Sequence, residues 1–226
     1  MNYKTVITGD GSKTLYLPDL DETYHSNHGA LQESLHVYID SGLRYIVENN
    51  ALEELSIFEM GFGTGLNAYL TAHFSKRFEV NVFYKSIEKF PLGKTDYSEL
   101  GYYELMNDES FKDESTLIST TPWEAKSKIN EFFTIEKVKH DFLAFEDDTG
   151  RYDLIYYDAF GHRAQSELWE EDPFRNCCRL LKNGGILVTY ASKGSARRNL
   201  IKSGFDVEKI PGAPGKREMM RATKVL

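Results

Sequence analysis

A chain of 226 residues can bury one full α/β core without disulfide or metal staples, and it is cramped for two independent domains. Hydrophobic residues make up 41% and charged residues 27%, a balance that excludes the disordered and fibrous classes. The formal charge of −8, from 27 basic and 35 acidic side chains, gives no bulk attraction for nucleic acid, yet nine Lys/Arg meet only three Asp/Glu between Lys193 and Lys224, so one end can face phosphates.

No apolar run approaches the roughly 20 residues of a membrane span, and MNYKTVITGDGSKTL lacks the basic-then-apolar layout of a signal peptide. A cytoplasmic protein without a membrane partner is expected. Cys177 and Cys178 are adjacent, a spacing that suits neither a disulfide framework nor a zinc site, and they read as reduced structural residues. His25, His28 and His162 show no metal-ligand spacing either, so no metal is expected.

In chain order, residues 1 to 50 read as an extension packing on the core: a turn from Gly9 to Ser12, a polar loop DLDETYHSNHGA, then an amphipathic helix. Its Leu31, Leu35, Tyr38, Ile39 and Leu43 recur at three-to-four spacing and form one apolar stripe. Residues 51 to 226 read as the main domain. LSIFEM, a glycine turn, a helix over 66–75 and VNVFYKSIE make a βαβ unit, which implies parallel pairing. Further strands are TIEKVKHD, YDLIYYDAF and GGILVTYA, with a helix over 166–181 between the last two. The tail supplies a helix SARRNLIKSG, a strand FDVEKI, a loop PGAPGKRE and MMRATKVL, which closes an antiparallel hairpin. The expected fold is α/β and Rossmann-like: a mostly parallel seven-stranded sheet, an antiparallel C-terminal hairpin strand, and helices on both faces.

Glu59-Met60-Gly61-Phe62-Gly63-Thr64-Gly65 lies between a strand and a helix, where glycines let a backbone turn tightly against a ligand. A dinucleotide fingerprint would want glycine at position 66, which is Leu, and no Walker lysine follows. E-x-G-x-G-x-G instead resembles motif I of class I S-adenosylmethionine (SAM) dependent methyltransferases. SAM carries an ammonium, a sulfonium and ribose hydroxyls and no phosphate, so carboxylates beside the turn serve it better than cations. Glu59 and Glu88 are the candidates, with Glu88 at the next strand end for the ribose and Asp141 after the third strand toward adenine. Gly61, Gly63, Gly65, Asn67, Lys89, Phe142 and Asp158 complete the cofactor-binding set. The competing reading is an ordinary βα turn with surface charges.

The residues then match a family more closely. FEMGFGTGLN (58–67), SIEKFPL (86–92), YDLIYYDAF (152–160), ELW with Phe174, LLKNGGILVTYASKGSARRNLIKSGF (180–205), PGAPGKREMMRA (211–222) and TYHSNHGALQES (23–34) resemble the SAM-dependent domain of MnmC-type tRNA methyltransferases, including stand-alone forms. EKFPL and GKREM are the specific pieces. The resemblance implies methyl transfer from SAM to the exocyclic amine of 5-aminomethyl-(2-thio)uridine at the wobble position, with the tRNA anticodon loop as partner. Bifunctional members add a FAD-dependent oxidase domain that acts first; with the sequence ending at Leu226, that activity is expected to be absent here and supplied separately. One departure stands out: the family's Asp-Gly-Phe-Ala-Pro type loop is Asp158-Ala159-Phe160-Gly161-His162-Arg163, which leaves the exact amine open.

Asp158, at a strand's carboxyl end, is the catalytic candidate, orienting the amine or taking its proton; a helix N-cap is its structural alternative. Phe160 and Trp169 are placed to stack on a splayed uridine, although Trp169 reads better as core. Lys216 and Arg217 suit phosphates and Glu218 can reach the site, unless the loop is a solvated basic hairpin. Lys193, Arg197 and Arg198 are open to the same two readings. Tyr24 and Glu33 either cover the cofactor or are a packed Tyr and an exposed helix Glu. Two other functions stay open: a small-molecule amine methyltransferase and a non-catalytic SAM-fold subunit, with a NAD-binding reductase a distant third.

Overall fold

The structure, a computed structural model, describes residues 2–50, 52–93, 97, 99–105 and 111–225. Ala51, where the sequence divides extension from main domain, and Leu226, the end of the expected last strand, lie outside the described residues.

The extension holds a three-stranded antiparallel sheet of β1 (Lys4–Ile7), β2 (Lys13–Leu17) and β3 (Glu22–Thr23), where only a turn and a polar loop were expected. Strands this short carry too little alternation to register in sequence. The turn itself is where the sequence puts it: Thr8 N donates to Ser12 O at 2.8 Å, and Asp10 Oδ1 accepts from Ser12 N at 3.0 Å. A continuous helix α1 follows over 30–49, and its middle, Leu35–Arg44, is wound in wider π-helical turns. Of the expected stripe, Tyr38, Ile39 and Leu43 are buried and Leu31 and Leu35 are partly buried against the core, and Val37, which the stripe left out, is buried as well.

The main sheet is mixed α/β architecture in the order β10-β11-β9-β8-β4-β5-β7-β6. Its strands are β4 (Glu54–Met60), β5 (Asn81–Glu88), β6 (Lys126–Lys128), β7 (Phe133–Lys139), β8 (Tyr152–Tyr157), β9 (Leu181–Thr189), β10 (Phe205–Pro211) and β11 (Glu218–Lys224). β7, β5, β4, β8 and β9 run parallel, and β11 inserts antiparallel between β9 and β10. Among the described residues the sheet therefore has eight strands where seven were expected. The eighth, β6, pairs antiparallel with β7 at the edge, and its sequence Lys-Ser-Lys has no apolar residue to announce it.

Helices cover both faces: α2 (Leu66–Phe78), α3 (Tyr102–Leu105), α4 (Lys112–Thr120), α5 (Glu171–Leu180) and α6 (Gly194–Lys202). The expected helix over 166–181 is broken: a tight turn at Ser166–Trp169 ends at extended Glu170, and α5 starts afresh with Pro173 in its first turn, where a missing N–H is harmless. Along β8, Leu154 and Tyr156 face α1 and α2, while Ile155 and Tyr157 face α5 and α6. Both faces of this strand are buried, which is why parallel strands read as unbroken apolar runs.

β4 has β5 on one side and β8 on the other, so the chain leaves it in one direction and returns on the opposite side. A crevice opens at the carboxyl ends of strands where order reverses in this way. No helix among the described residues is long and apolar enough to cross a membrane.

Candidate active site

The crevice is a cleft of about 260 Å³ above the ends of β4, β5 and β8, closed on one side by the segment between β3 and α1. Its floor is the glycine turn. Gly61 N and Phe62 N both donate to Ile87 O, at 3.0 and 3.1 Å, which ties the turn to β5. Gly63 adopts φ 51, and a Cβ there would lie 3.0 Å from the Tyr24 ring. Tyr24 thus lies directly on the turn, and only glycine permits that approach.

Glu88 ends β5 at the cleft wall. Its Oε2 accepts from Gly63 N at 3.0 Å and its Oε1 from Phe90 N at 2.8 Å. The carboxylate is fixed by backbone amides, and each oxygen keeps a lone pair for a ligand. Beyond it, Lys89 Nζ donates to Asp141 Oδ2 at 2.7 Å, and Asp141 Oδ1 accepts from Leu143 N at 3.0 Å. The Lys89 hydrogen bond holds the Asp141 carboxyl below its ordinary range against partial burial. Ile87, Phe142 and Leu143 give this end of the cleft an apolar surface.

Asp158 follows β8 at the other end. Asn67 Nδ2, from the first turn of α2, donates to Asp158 Oδ2 at 2.9 Å. Burial pushes the Asp158 carboxyl up to about 7; the nearby Tyr38 hydroxyl restrains the rise, the Glu33 charge adds to it, and Asn67 and Lys216 oppose it. No described helix begins at Asp158, so the N-cap alternative lacks its helix.

Glu33 is buried, not an exposed helix residue: Oε2 accepts from Ser26 N at 2.7 Å and Oε1 from Lys216 Nζ at 2.5 Å. Lys216 reaches it from the β10–β11 loop, 183 positions away, and rests 4.0 Å from the Tyr190 ring centroid. Phe160 lines the mouth, edge-on to Tyr24 at 4.9 Å. Trp169 is core at 1% exposure, and its Nε1 donates to Phe160 O at 2.8 Å, which steadies that loop.

The cleft thus gathers Gly61, Gly63, Asn67, Glu88, Lys89, Asp141, Phe142, Asp158, Phe160 and Lys216. The other candidates sit elsewhere. Glu59 points into the core behind the turn, 0% exposed, with Oε2 accepting from Ser86 Oγ at 2.5 Å. Gly65 caps α2 and faces a second, smaller cavity. Glu218 pairs with Lys209 across the hairpin at 2.6 Å, and neither it nor Arg217 lines the cleft. Arg197 bonds Val207 O at 3.4 Å, and Lys193 and Arg198 likewise lie outside the cleft, on α6 and its N-terminus.

Sequence reasoning missed Tyr190 and the role of Tyr38, aromatic residues that pattern alone assigns to the core. His25, which reads from sequence as a loop histidine without metal-ligand spacing, is buried: its Nδ1 pairs with Thr14 Oγ1 at 2.8 Å, and burial pushes the ring down to about 4, keeping it neutral. Among the described residues six carboxylates line the cleft (Glu22, Glu33, Glu88, Asp141, Asp158 and Glu167) against two lysines, so the space favours a cationic ligand. No group of three or more His, Cys, Asp or Glu able to hold a metal occurs among the described residues.

Comparison with known proteins adds to this geometry. Residues 125–225 match a family described as S-adenosyl-L-methionine-dependent methyltransferase. The chain is 28% identical, over 96% of its length, to the tRNA 5-methylaminomethyl-2-thiouridine biosynthesis bifunctional protein MnmC of Aliivibrio fischeri. It is 31% identical, over 90% of its length, to the protein of the same name from Campylobacter jejuni. In each case the match spans 34% of the relative, so the chain covers about a third of the length of the curated relatives it matches. The crystal structure of MnmC2 from Aquifex aeolicus shares the fold, with a TM-score of 0.74 at 24% identity over 98% of this chain and 70% of that one.

Proposed function

We propose that this chain, whose residues 125–225 match an S-adenosyl-L-methionine-dependent methyltransferase family and which is similar over 90% or more of its length to part of MnmC, methylates the exocyclic amine of 5-aminomethyl-(2-thio)uridine at the tRNA wobble position. The observation that carries this reading is one cleft holding two anchored carboxylates at opposite ends, Glu88 bonded by the Gly63 amide and Asp158 by the Asn67 amide.

The residues present fit SAM. Glu88 retains acceptor capacity for two ribose hydroxyls, the Ile87, Phe142 and Leu143 surface suits a flat base, and the acidic lining suits a ligand of net positive charge. Gly61, Gly63, Lys89 and Asp141 complete the cofactor wall. When bound, SAM supplies an electrophilic methyl group on a sulfonium.

The chain's own part is to position and to handle a proton. A primary amine attacks only as the free base, so it must lose its ammonium proton first. Asp158, ionised above about pH 7, accepts that proton and leaves the amine nitrogen with a free lone pair. Asn67 and Tyr38 hold Asp158 in place for the amine. Phe160, with Tyr24 beside it, offers a ring to a splayed uracil. Lys216 supports the acceptor end, and Arg217, with Lys193 and Arg198, meets anticodon-loop phosphates. A FAD-dependent oxidase acts upstream to expose the amine, and the reaction takes place in the cytoplasm, where tRNA is found.

Labelled SAM offered with tRNA whose wobble uridine lacks the terminal methyl should label that nucleoside. Label passing only to small amines, or equally to unmodified bulk RNA, would defeat the reading. The cleft's acidity makes a small cationic amine the acceptor to compare against.

A further inference from the structure

Glu59 is the one carboxylate of the glycine motif that lies outside the cleft, and its surroundings are unusual. Among the described residues, its Oε1 is buried without a hydrogen-bond partner, and so are Asn67 Oδ1 and the Tyr84 hydroxyl. Asn67 and Tyr84 both approach Glu59. Two buried acceptor oxygens therefore have a single hydroxyl proton to divide between them. Leaving a buried acceptor unsatisfied is costly, and one more proton removes the deficit.

We propose that Glu59 is a positioning residue that carries a proton on Oε1 and donates it to Asn67 Oδ1, which keeps Asn67 Nδ2 aimed at Asp158. This rests on the reading of Asp158 as the group that handles the amine proton. The chain of contacts is Ser86 Oγ to Glu59 Oε2 at 2.5 Å, protonated Glu59 Oε1 to Asn67 Oδ1, and Asn67 Nδ2 to Asp158 Oδ2 at 2.9 Å. An amide has one donor end and one acceptor end, so Asn67 reads the state of Glu59 and passes it on. If Glu59 gives its proton to solvent, Asn67 turns to donate to the new carboxylate. Its oxygen then faces Asp158 and disfavours the charged form that accepts the amine proton.

The surroundings support a protonated acid. Burial pushes the Glu59 carboxyl up to about 8; the Ser86 hydrogen bond restrains the rise, the Asp158 charge adds to it, and Tyr84 and Asn67 oppose it. From β5 it is faced by Ser86 and Tyr84, from β8 by Tyr156 and Asp158, and from α2 by Asn67, with no cation among them. Both tyrosines stay neutral, since burial pushes each phenol far above its ordinary value.

The test is NMR of carboxyl-labelled, ligand-free protein, read beside the Asn67 side-chain amide signals, with methyl-transfer pH profiles of wild type, Glu59→Gln and Glu59→Ala. Glu59 should be protonated at pH 7 and titrate near pH 8, and the Asn67 amide should shift with the same midpoint. Turnover of wild type should fall by roughly tenfold across that midpoint and then level off. Glu59→Gln, which keeps a donor toward Asn67, should lose this alkaline decline, whereas Glu59→Ala should lower turnover roughly tenfold or more at pH 7. A Glu59 that titrates near its ordinary 4.5, an Asn67 amide unmoved through the transition, or the same decline in Glu59→Gln would overturn the proposal. The NMR arm needs no substrate, so absence of methyl transfer would count against the enzymatic reading alone.

Discussion

The Gly63 amide donates to Glu88 Oε2 at 3.0 Å, so the end of β5 and the floor of the cleft are held as one piece. Glu88→Ala removes a ligand acceptor and releases the turn together. Losing one charge-assisted hydrogen bond to ligand costs about 1.5–3 kcal/mol, or roughly 10- to 100-fold in SAM affinity. Calorimetry with SAM measures this directly, and an unchanged dissociation constant would remove Glu88 from the cofactor wall.

Asp158 yields a prediction in two parts. Asp158→Asn keeps the shape and the Asn67 contact but removes the proton acceptor, so turnover should fall at least about 100-fold with SAM affinity retained. The same substitution alters stability with a definite sign. The folded carboxyl titrates near 7 against an ordinary 3.8, so its contribution to stability is complete below 3.8 and is lost as pH rises through 7. Asn is neutral throughout and should melt higher than wild type at pH 8, on the order of 5 °C, with the gap closing by pH 4. A gap independent of pH would mean that Asp158 is not raised.

Much of this was legible from sequence because β4, β5 and β8 are buried on both faces and read as apolar runs, and because acids recur at their carboxyl ends. Period two along β4 carries a further signal: Ile57 faces α1 and α2, so Glu59 must face the same side, under α2 rather than into the cleft. What stayed hidden is long-range or short-lived in sequence. Nothing local pairs Glu33 with Lys216. Tyr38 sits in an apolar stripe whose other members are aliphatic, and β6 is too short and polar to show any period.

Glu33 and Lys216 form one ion pair but act on Asp158 with opposite sign: the Glu33 charge raises its carboxyl and Lys216 lowers it. Glu33→Gln should therefore move the acid limb of the turnover profile to lower pH, and Lys216→Met should move it higher. Each shift should be on the order of one pH unit, with the double variant close to wild type. A pair serving only to fasten the hairpin loop would shift both variants the same way or neither, and the pH profile of kcat distinguishes these outcomes.

The reach of Lys216 depends on its neighbour. Gly215 has φ 86, and a Cβ there would stand 2.3 Å from the His28 ring, so the β10–β11 loop is seated on the N-terminal segment through a bare backbone. Gly215→Ala combines a left-handed backbone strain of about 1–3 kcal/mol with a collision that the loop relieves by lifting away. Lys216, next in the chain, then loses Glu33. The variant should melt lower, by about 2–4 °C per kcal/mol, and its acid limb should move upward as in Lys216→Met. Removing the ring with His28→Ala relieves the collision but not the strain, so the double variant should recover only part of the loss. An acid limb at its wild-type position in Gly215→Ala would show that the loop holds Lys216 without this contact.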